Sequence, residues 1–194
     1  SGDNLYMAGE GNWDGVRFTG GGLWIADVSD PVSPRVVGHV LVDGYVRSMA
    51  VVRDHVYLAY QQQGLTIIDV SNPAAPVHVG QIPDSQYYQA VGSDGQYVYW
   101  AVGWPDGLRV LDVSDPAHPV VISTVDTMGV GEKVVAVGQY LLVDNSRGLF
   151  VLDISDPVNP VEVGRCETAG DSTSGMAYAD GLVVINSSQG GIYV

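Results

Sequence analysis

The sequence predicts an all-β fold, a β-propeller of four-stranded antiparallel blades, and three observations carry that prediction. The first is an internal repeat. Gly22-Leu23-Trp24-Ile25-Ala26-Asp27-Val28-Ser29-Asp30-Pro31 returns from Gly64, from Gly107 and from Gly148, and a fifth copy opens at Gly191. The copies begin 42, 43, 41 and 43 residues apart, a period that belongs to repeat architectures with a few strands per unit. The second is composition. Gly (25 residues), Val, Tyr and Asp dominate, Lys133 is the only lysine, and just four of the acids are Glu, which is strand-and-turn chemistry without the long helix formers. The third is the pattern inside the repeated strand. Leu65, Ile67 and Asp69 fall on one face, and Thr66, Ile68 and Val70 on the other, so both faces are mainly aliphatic. Such a strand needs cover on both sides, and blades stacked about an axis supply it.

The second unit shows how each element is read. Tyr45 to Val52 forms a first strand, Asp54-His55 a turn, and Val56 to Tyr60 a second strand. Gln61 to Gln63 loop into Leu65 to Val70, the third strand, and Val77 to Ile82 makes the fourth. Each run is short, rich in β-branched and aromatic residues, and bounded by Gly, Pro, Asp or Asn. Applied along the chain, this gives one propeller over 1–194. It has a partial blade at 1–42, blades at 43–84, 85–126 and 127–168, and a partial blade at 169–194. Leu5-Tyr6-Met7-Ala8 matches a second strand, so the first blade lacks its innermost strand. The last blade stops in its third strand. About five blades are therefore expected, three complete and two partial, within a larger ring or one completed by another chain.

The motif acids Asp27, Asp69, Asp112 and Asp153 recur once per blade, two residues before Ser and four before Pro. Their expected role is structural: a buried carboxylate that accepts the backbone N–H or the hydroxyl of that serine. Loss of such an acceptor is expected to cost about 1–3 kcal/mol. The pairs Pro31/Pro34, Pro73/Pro76, Pro116/Pro119 and Pro157/Pro160 make a stiff corner before each fourth strand.

At these residues the chain resembles a known family. The motif G-L-x-[IV]-x-D-[VI]-S-[DN]-P-x-x-P is similar to the LVIVD repeat, and the resemblance spans essentially the whole chain. The first copy departs only by Ala26, where the others have Ile68, Leu111 and Leu152. The resemblance implies a β-propeller, a secreted, cell-surface or periplasmic address, and an interaction or scaffold role. It brings no catalytic motif.

Charge narrows the partners. With 22 acidic against 8 basic residues the net charge is −14, which repels phosphate backbones and excludes nucleic acid. No stretch approaches the apolar length of a membrane-spanning helix. Solubility, salt adaptation and weak divalent-cation binding all remain open as reasons for the acidity. The single cysteine, Cys166, permits no internal disulfide and reads as a structural thiol. His39, His55, His78 and His118 fall at different points of their blades, without metal-ligand spacing. Gly170 to Gly175 is not the G-x-S-x-G of a nucleophile elbow.

Candidate contact residues lie where the blades differ. The connections between second and third strands, 9–21, 61–63, 103–106 and 145–147, vary in length, and they carry Trp13, Asp14, Arg17 and Trp104 as rim binding residues. The starts of the innermost strands offer Arg47, Gln89, Glu132 and Ser174 as channel-facing residues. Two functions follow. One is a non-enzymatic extracellular or cell-surface interaction module in a larger assembly, with a protein partner or a second copy of itself and no cofactor. The alternative is a ligand- or Ca2+-binding propeller, hydrolytic in one version, with its site in the axial channel.

Overall fold

The computed structural model describes the chain except residues 1, 2, 10, 11, 14–17, 20, 43, 87, 88, 104, 128–130, 146, 147, 168–172, 188–190 and 194. Among the described residues every regular element is a strand. The first blade comprises β1 (Asn4–Gly9), a short ribbon β2 (Asn12–Trp13) and β3 (Phe18–Thr19), then β4 (Gly22–Asp27) and β5 (Arg35–Leu41). The second is β6 (Val46–Val52), β7 (His55–Tyr60), β8 (Gly64–Asp69) and β9 (Val77–Ile82). The third is β10 (Ala90–Ser93), β11 (Tyr97–Gly103), β12 (Gly107–Asp112) and β13 (Val120–Val125). The fourth is β14 (Gly131–Val137), β15 (Tyr140–Asn145), β16 (Gly148–Asp153) and β17 (Val161–Glu167). The last holds β18 (Thr173–Ala179), β19 (Leu182–Ser187) and β20 (Gly191–Tyr193).

Each sheet runs in chain order and every pairing is antiparallel. The three middle sheets have four strands; β1-β4-β5 and β18-β19-β20 have three. These are the blades the repeat predicts. The β2–β3 ribbon was not anticipated, because that segment reads as a loop. The expected turn at Asp54-His55 also shifts by one residue, with His55 entering β7 opposite Asp69.

The chain divides into two compact units, Ser1–Tyr87 with Asp115–His118, and Tyr88–Ser114 with Pro119–Val194. Within each unit the sheets stack face to face. We call the face of a sheet that meets the preceding blade its leading face, and the opposite one its trailing face. In the first unit, Val56, Leu58, Ile68 and Val70 on the leading face of the second blade pack on Leu23 and Ile25 of the first. In the second unit, Leu141, Val143 and Leu152 of the fourth blade pack on Tyr99, Leu108 and Val110 of the third. Met176 and Ile185 of the last blade pack on Leu142 and Leu149 of the fourth. Each fully buried side chain of this kind contributes about 1.5–3 kcal/mol.

Two backbone features shape the sheets. A β-bulge lies between third and fourth strands of all four copies, at Ile25/Ala26, Ile67/Ile68, Val110/Leu111 and Val151/Leu152. A bulge increases local twist, which lets the outer strand splay from the third. The hairpin between first and second strands takes two residues in the last blade, Asp180 (φ 50) and Gly181 (φ 82). Positive φ at both is what a type I′ turn requires.

The close stacking also explains two glycines. Gly38 on β5 lies under the Pro73 turn of the next blade, and a Cβ there would collide with the Pro73 carbonyl oxygen. Gly80 repeats the position, with the Ala117 carbonyl oxygen 3.1 Å from a hypothetical Cβ. Gly164, its counterpart in the fourth blade, would meet only the Val151 Cβ, at 4.0 Å. Gly38→Ala is therefore expected to lower unfolding stability by about 1–3 kcal/mol. Gly164→Ala should leave stability within about 0.5 kcal/mol. Chemical denaturation of the two variants measures both, and equal losses would refute the contact.

Candidate functional site

Every complete blade has two chemically different ends. At the turn end, the motif Asp closes the third strand and the chain turns through Ser and Pro. At the loop end, the first strand begins, the second finishes, and the third starts. In the second blade Val46 pairs with Tyr60 and Tyr60 with Gly64, while Leu65 pairs with Ile82, so all four strands meet that end.

The turn end is the same in all four copies. The Oδ1 of Asp27, Asp69, Asp112 and Asp153 accepts the N–H of Ser29, Ser71, Ser114 and Ser155 at 2.9, 2.8, 2.8 and 2.9 Å. Three residues on, the side chains of Asp30, Asn72, Asp115 and Asp156 accept the N–H two residues ahead, past the proline, at 3.1–3.2 Å. Their carbonyls then take the N–H of Ser33, Ala75, His118 and Asn159 to close the turn. Proline suits the second position, because its φ is preset and the turn asks no donor of it. The acceptor role read from the sequence is therefore what forms. The burial is not: all four motif acids are partly exposed, since they sit at the rim of the sheet rather than between blades. The cost expected for a buried acceptor does not apply to them.

The serine hydroxyl and N–H hold all four carboxyls below their ordinary value. The hydroxyl acts most strongly at Asp27 and Asp153, and the N–H at Asp69 and Asp112. Arg35, 3.1 Å from Asp27, adds to this, as does the Gln139 amide beside Asp153.

The loop end carries the candidate contact residues. Arg47, Glu132 and Ser174 occupy one structural position, the extra residue of a bulge at the start of the first strand, at Val46/Ser48, Gly131/Lys133 and Thr173/Gly175. A bulge inserts one extra residue into the strand and bends it locally. Gln89 precedes β10 at the matching point. The structure brings it into the blade: it is almost wholly buried, and its Oε1 accepts the Trp100 indole N–H at 3.3 Å. The Arg47 guanidinium lies over the Tyr45 ring, 5.7 Å from its centroid. Trp13 lies in β2, where its backbone alone is described, and the same holds for Ser174 in β18. Asp14, Arg17 and Trp104 fall outside the described residues.

Two features escaped the sequence reading. One is a chain of contacts at the loop end of the third blade. Arg109 stacks on Trp100 at 5.1 Å and pairs with Asp106 at 2.8 Å, while Trp100 in turn donates to Gln89. Arg109 stands in the motif's variable third position, so its aromatic partner, on another strand, was not visible. The other is Asp144, fully buried at the point where other blades have Ala8, Ala59 and Ala101. Alignment of the repeats on their third strands would have found it, because a carboxylate there breaks an alanine column.

Beside Thr66 and Thr127, three tyrosines add buried polar groups. Burial pushes Tyr57 up to about 12, with nearby Arg53 opposing. Tyr60 and Tyr99 are raised further by burial, and Tyr99 also by its hydrogen bond to Asp94, at 2.9 Å. All three remain neutral at physiological pH, and among the described residues only the Tyr99 hydroxyl of the three donates a hydrogen bond, to Asp94. Among the described residues no three of His, Cys, Asp and Glu gather to hold a metal ion. Cys166, expected as a structural thiol, is exposed on β17. His39 and His78 lie exposed on outer strands, and His118 sits in a turn beside Asp115 at 3.0 Å.

A family model described as LVIVD repeat matches residues 1–42, 43–84, 89–127 and 129–168. No curated protein matches the chain. Among solved structures, the computationally designed Ika4 protein is similar with a TM-score of 0.60 at 9% identity, over 77% of this chain and 89% of that one. A functionally unknown protein from Desulfotomaculum acetoxidans DSM 771 is similar with a TM-score of 0.69 at 11% identity, over 84% of this chain. The match spans 55% of that protein. At such identities the likeness is one of fold. No helix among the described residues is long and apolar enough to cross a membrane.

The turn-end carboxylates have a measurable consequence. Because they are held below the ordinary 3.8, they stabilise the fold above that pH, and the contribution is lost as pH falls through their lower folded values. Asn keeps the acceptor oxygen, as Asn72 does for the Ala74 N–H at 3.2 Å, but cannot titrate. Replacing Asp27, Asp69, Asp112 and Asp153 together by Asn should flatten the fall of Tm between about pH 4 and 2. An unchanged slope would show that other acids set the acid limit.

Proposed function

Because this chain belongs to the LVIVD repeat family, we propose that it is a non-enzymatic interaction or scaffold module that works outside the cytoplasm, at the cell surface or in a secreted assembly. The segregation of constant and variable chemistry carries this reading. The turn ends repeat one hydrogen-bond scheme four times. The loop ends hold a different residue at each bulge: Arg47, Glu132 and Ser174, with Gln89 at the matching point. A fold that keeps one end uniform and varies the other presents a recognition surface on a fixed frame.

The charge at that end is mixed, against a strongly acidic whole. In the first unit Arg47 rests on the Tyr45 ring; in the second, Arg109 rests on the Trp100 ring and pairs with Asp106. Arginine backed by an aromatic ring is common in the centre of protein interfaces, where the flat cation gives up little hydration. The partner of this surface is accordingly a protein with exposed carboxylates and apolar side chains.

Crosslinking of the tagged protein to surface proteins of its source cells, read by mass spectrometry, tests the reading. Arg47→Ala with Arg109→Ala should abolish a specific crosslinked product, whereas Asp69→Asn at the turn end should leave it. A product indifferent to both, or hydrolysis of a substrate panel that Glu132→Gln abolishes, would overturn the proposal.

A further inference from the structure

One neutral polar side chain is concentrated at one corner of the first unit. Five of the chain's nine glutamines, Gln61, Gln62, Gln63, Gln81 and Gln86, fall between 61 and 86. Residues 61–63 join β7 to β8, Gln81 lies one residue from the end of β9, and Gln86 follows that strand. All five therefore stand at the loop end of the second blade, where Tyr60 pairs with Gly64 and Leu65 with Ile82.

Hydrogen bonds fasten the segments that carry them into one frame. The Gln61 N–H donates to the Tyr45 carbonyl at 3.0 Å, and the Gln62 N–H to the Gln86 carbonyl at 3.0 Å. The Gln81 amide nitrogen donates to the Gln63 carbonyl at 3.2 Å, and the Gln86 N–H to the Asp84 Oδ1 at 2.8 Å. Gly64, at φ 91, lets the strap after β9 close on this loop, because a Cβ there would collide with the Ile82 carbonyl oxygen. Gln62 is held at φ 61, a left-handed conformation that a residue with a side chain adopts only at a cost. On this frame Gln62, Gln63 and Gln81 are exposed, and Gln61 and Gln86 are half-buried.

The chemistry of the frame selects its ligand. Residues 44–46, 60–64 and 81–83 include no acid and no base, so the frame itself draws no ion, and a chain of net charge −14 repels polyanions. Each glutamine amide offers two N–H donors and a carbonyl acceptor, and an apolar surface pressed on it would leave them unmade. Protein interfaces centre on large apolar or aromatic anchors, and none of the large exposed apolar side chains lies in these three segments. We propose that this frame binds a neutral saccharide. A sugar carries a hydroxyl on most of its carbons, each both donor and acceptor, and so keeps exposed amides hydrogen-bonded as water does. Gln62, Gln63 and Gln81 contact it, while the backbones of Gln61 and Gln86 hold the loop to Tyr45 and to the strap. The site uses neither Arg47 nor Arg109, and does not depend on the protein-partner reading above.

A single sugar on so open a surface binds weakly, and a polymer that repeats the unit binds by avidity, so a polymer is the better probe. In affinity electrophoresis the protein runs in native gels cast with dextran, galactomannan, xyloglucan or gelatin. At least one of the three neutral polysaccharides should retard it in proportion to polymer concentration, and free oligosaccharide from that polymer should restore its mobility. Gln62→Gly, Gln63→Ala and Gln81→Ala together should weaken the retardation about tenfold or more. The melting temperature of this variant should stay close to the parent's, since glycine suits the left-handed position and the other two side chains are exposed. Gln96→Ala, at an exposed glutamine between β10 and β11, should be retarded like the parent. Undiminished retardation of the triple variant would overturn the inference, as would retardation by none of the polysaccharides. Retardation by gelatin alone would also overturn it, by assigning the amides to a peptide backbone. Arg47→Ala with Arg109→Ala should bind polysaccharide normally, so this reading and the protein-partner reading fail separately.

Discussion

Burying both faces of every sheet is the constraint on which the rest of this structure depends. A lone four-stranded sheet of Val, Ile and Leu has no stable place in water, because neither face has anywhere to go. Stacked copies solve the problem by giving each face a near-identical neighbour. The joints are tight enough that a methyl group matters. Gly131 presses on Ala101, where an added Cβ would collide, and Gly92 leaves a hypothetical Cβ only 2.6 Å from the Val134 carbonyl oxygen. Small residues at these points let neighbouring sheets approach as closely as interior packing density demands.

Stacking leaves only the ends of the strands for polar chemistry, and the chain treats its two ends differently. At the turn end, one oxygen of each motif Asp accepts a backbone N–H just past the strand, which stops the third strand and starts the turn to the outer one. At the loop end of the second, fourth and last blades, a bulge interrupts the ladder between the first and second strands. Acidic character therefore has two origins in one molecule. Part of it is turn geometry, repeated wherever a strand must end; the rest is surface.

The fold was legible because its cause is local and periodic. Two-sided aliphatic strands, the Asp-x-Ser-Asp-Pro turn and the register of copies are all read from neighbours in sequence, and Asp69 with Ser71 forms the bond that spacing alone suggests. The candidate site was legible only in part. Arg47, Glu132 and Ser174 are found by asking where first strands begin, yet that they share one bulge needs the pairing register. Gln89 reads as a solvent-facing polar residue, but the indole that buries it lies eleven residues away on the adjacent strand. Asp144 breaks an alanine column that aligned repeats display, but that it is fully buried there is decided by the neighbouring sheets.

By itself, then, the chain's sequence determined the repeat, the strands, the turn chemistry and the acidic, strand-rich character, because each rests on contacts within a few residues. Tertiary structure alone decided which carboxylates are buried, which glycines stand under a neighbouring carbonyl, and which apolar faces meet water. Those outcomes depend on what a different blade places against a residue, and no spacing along one strand encodes that.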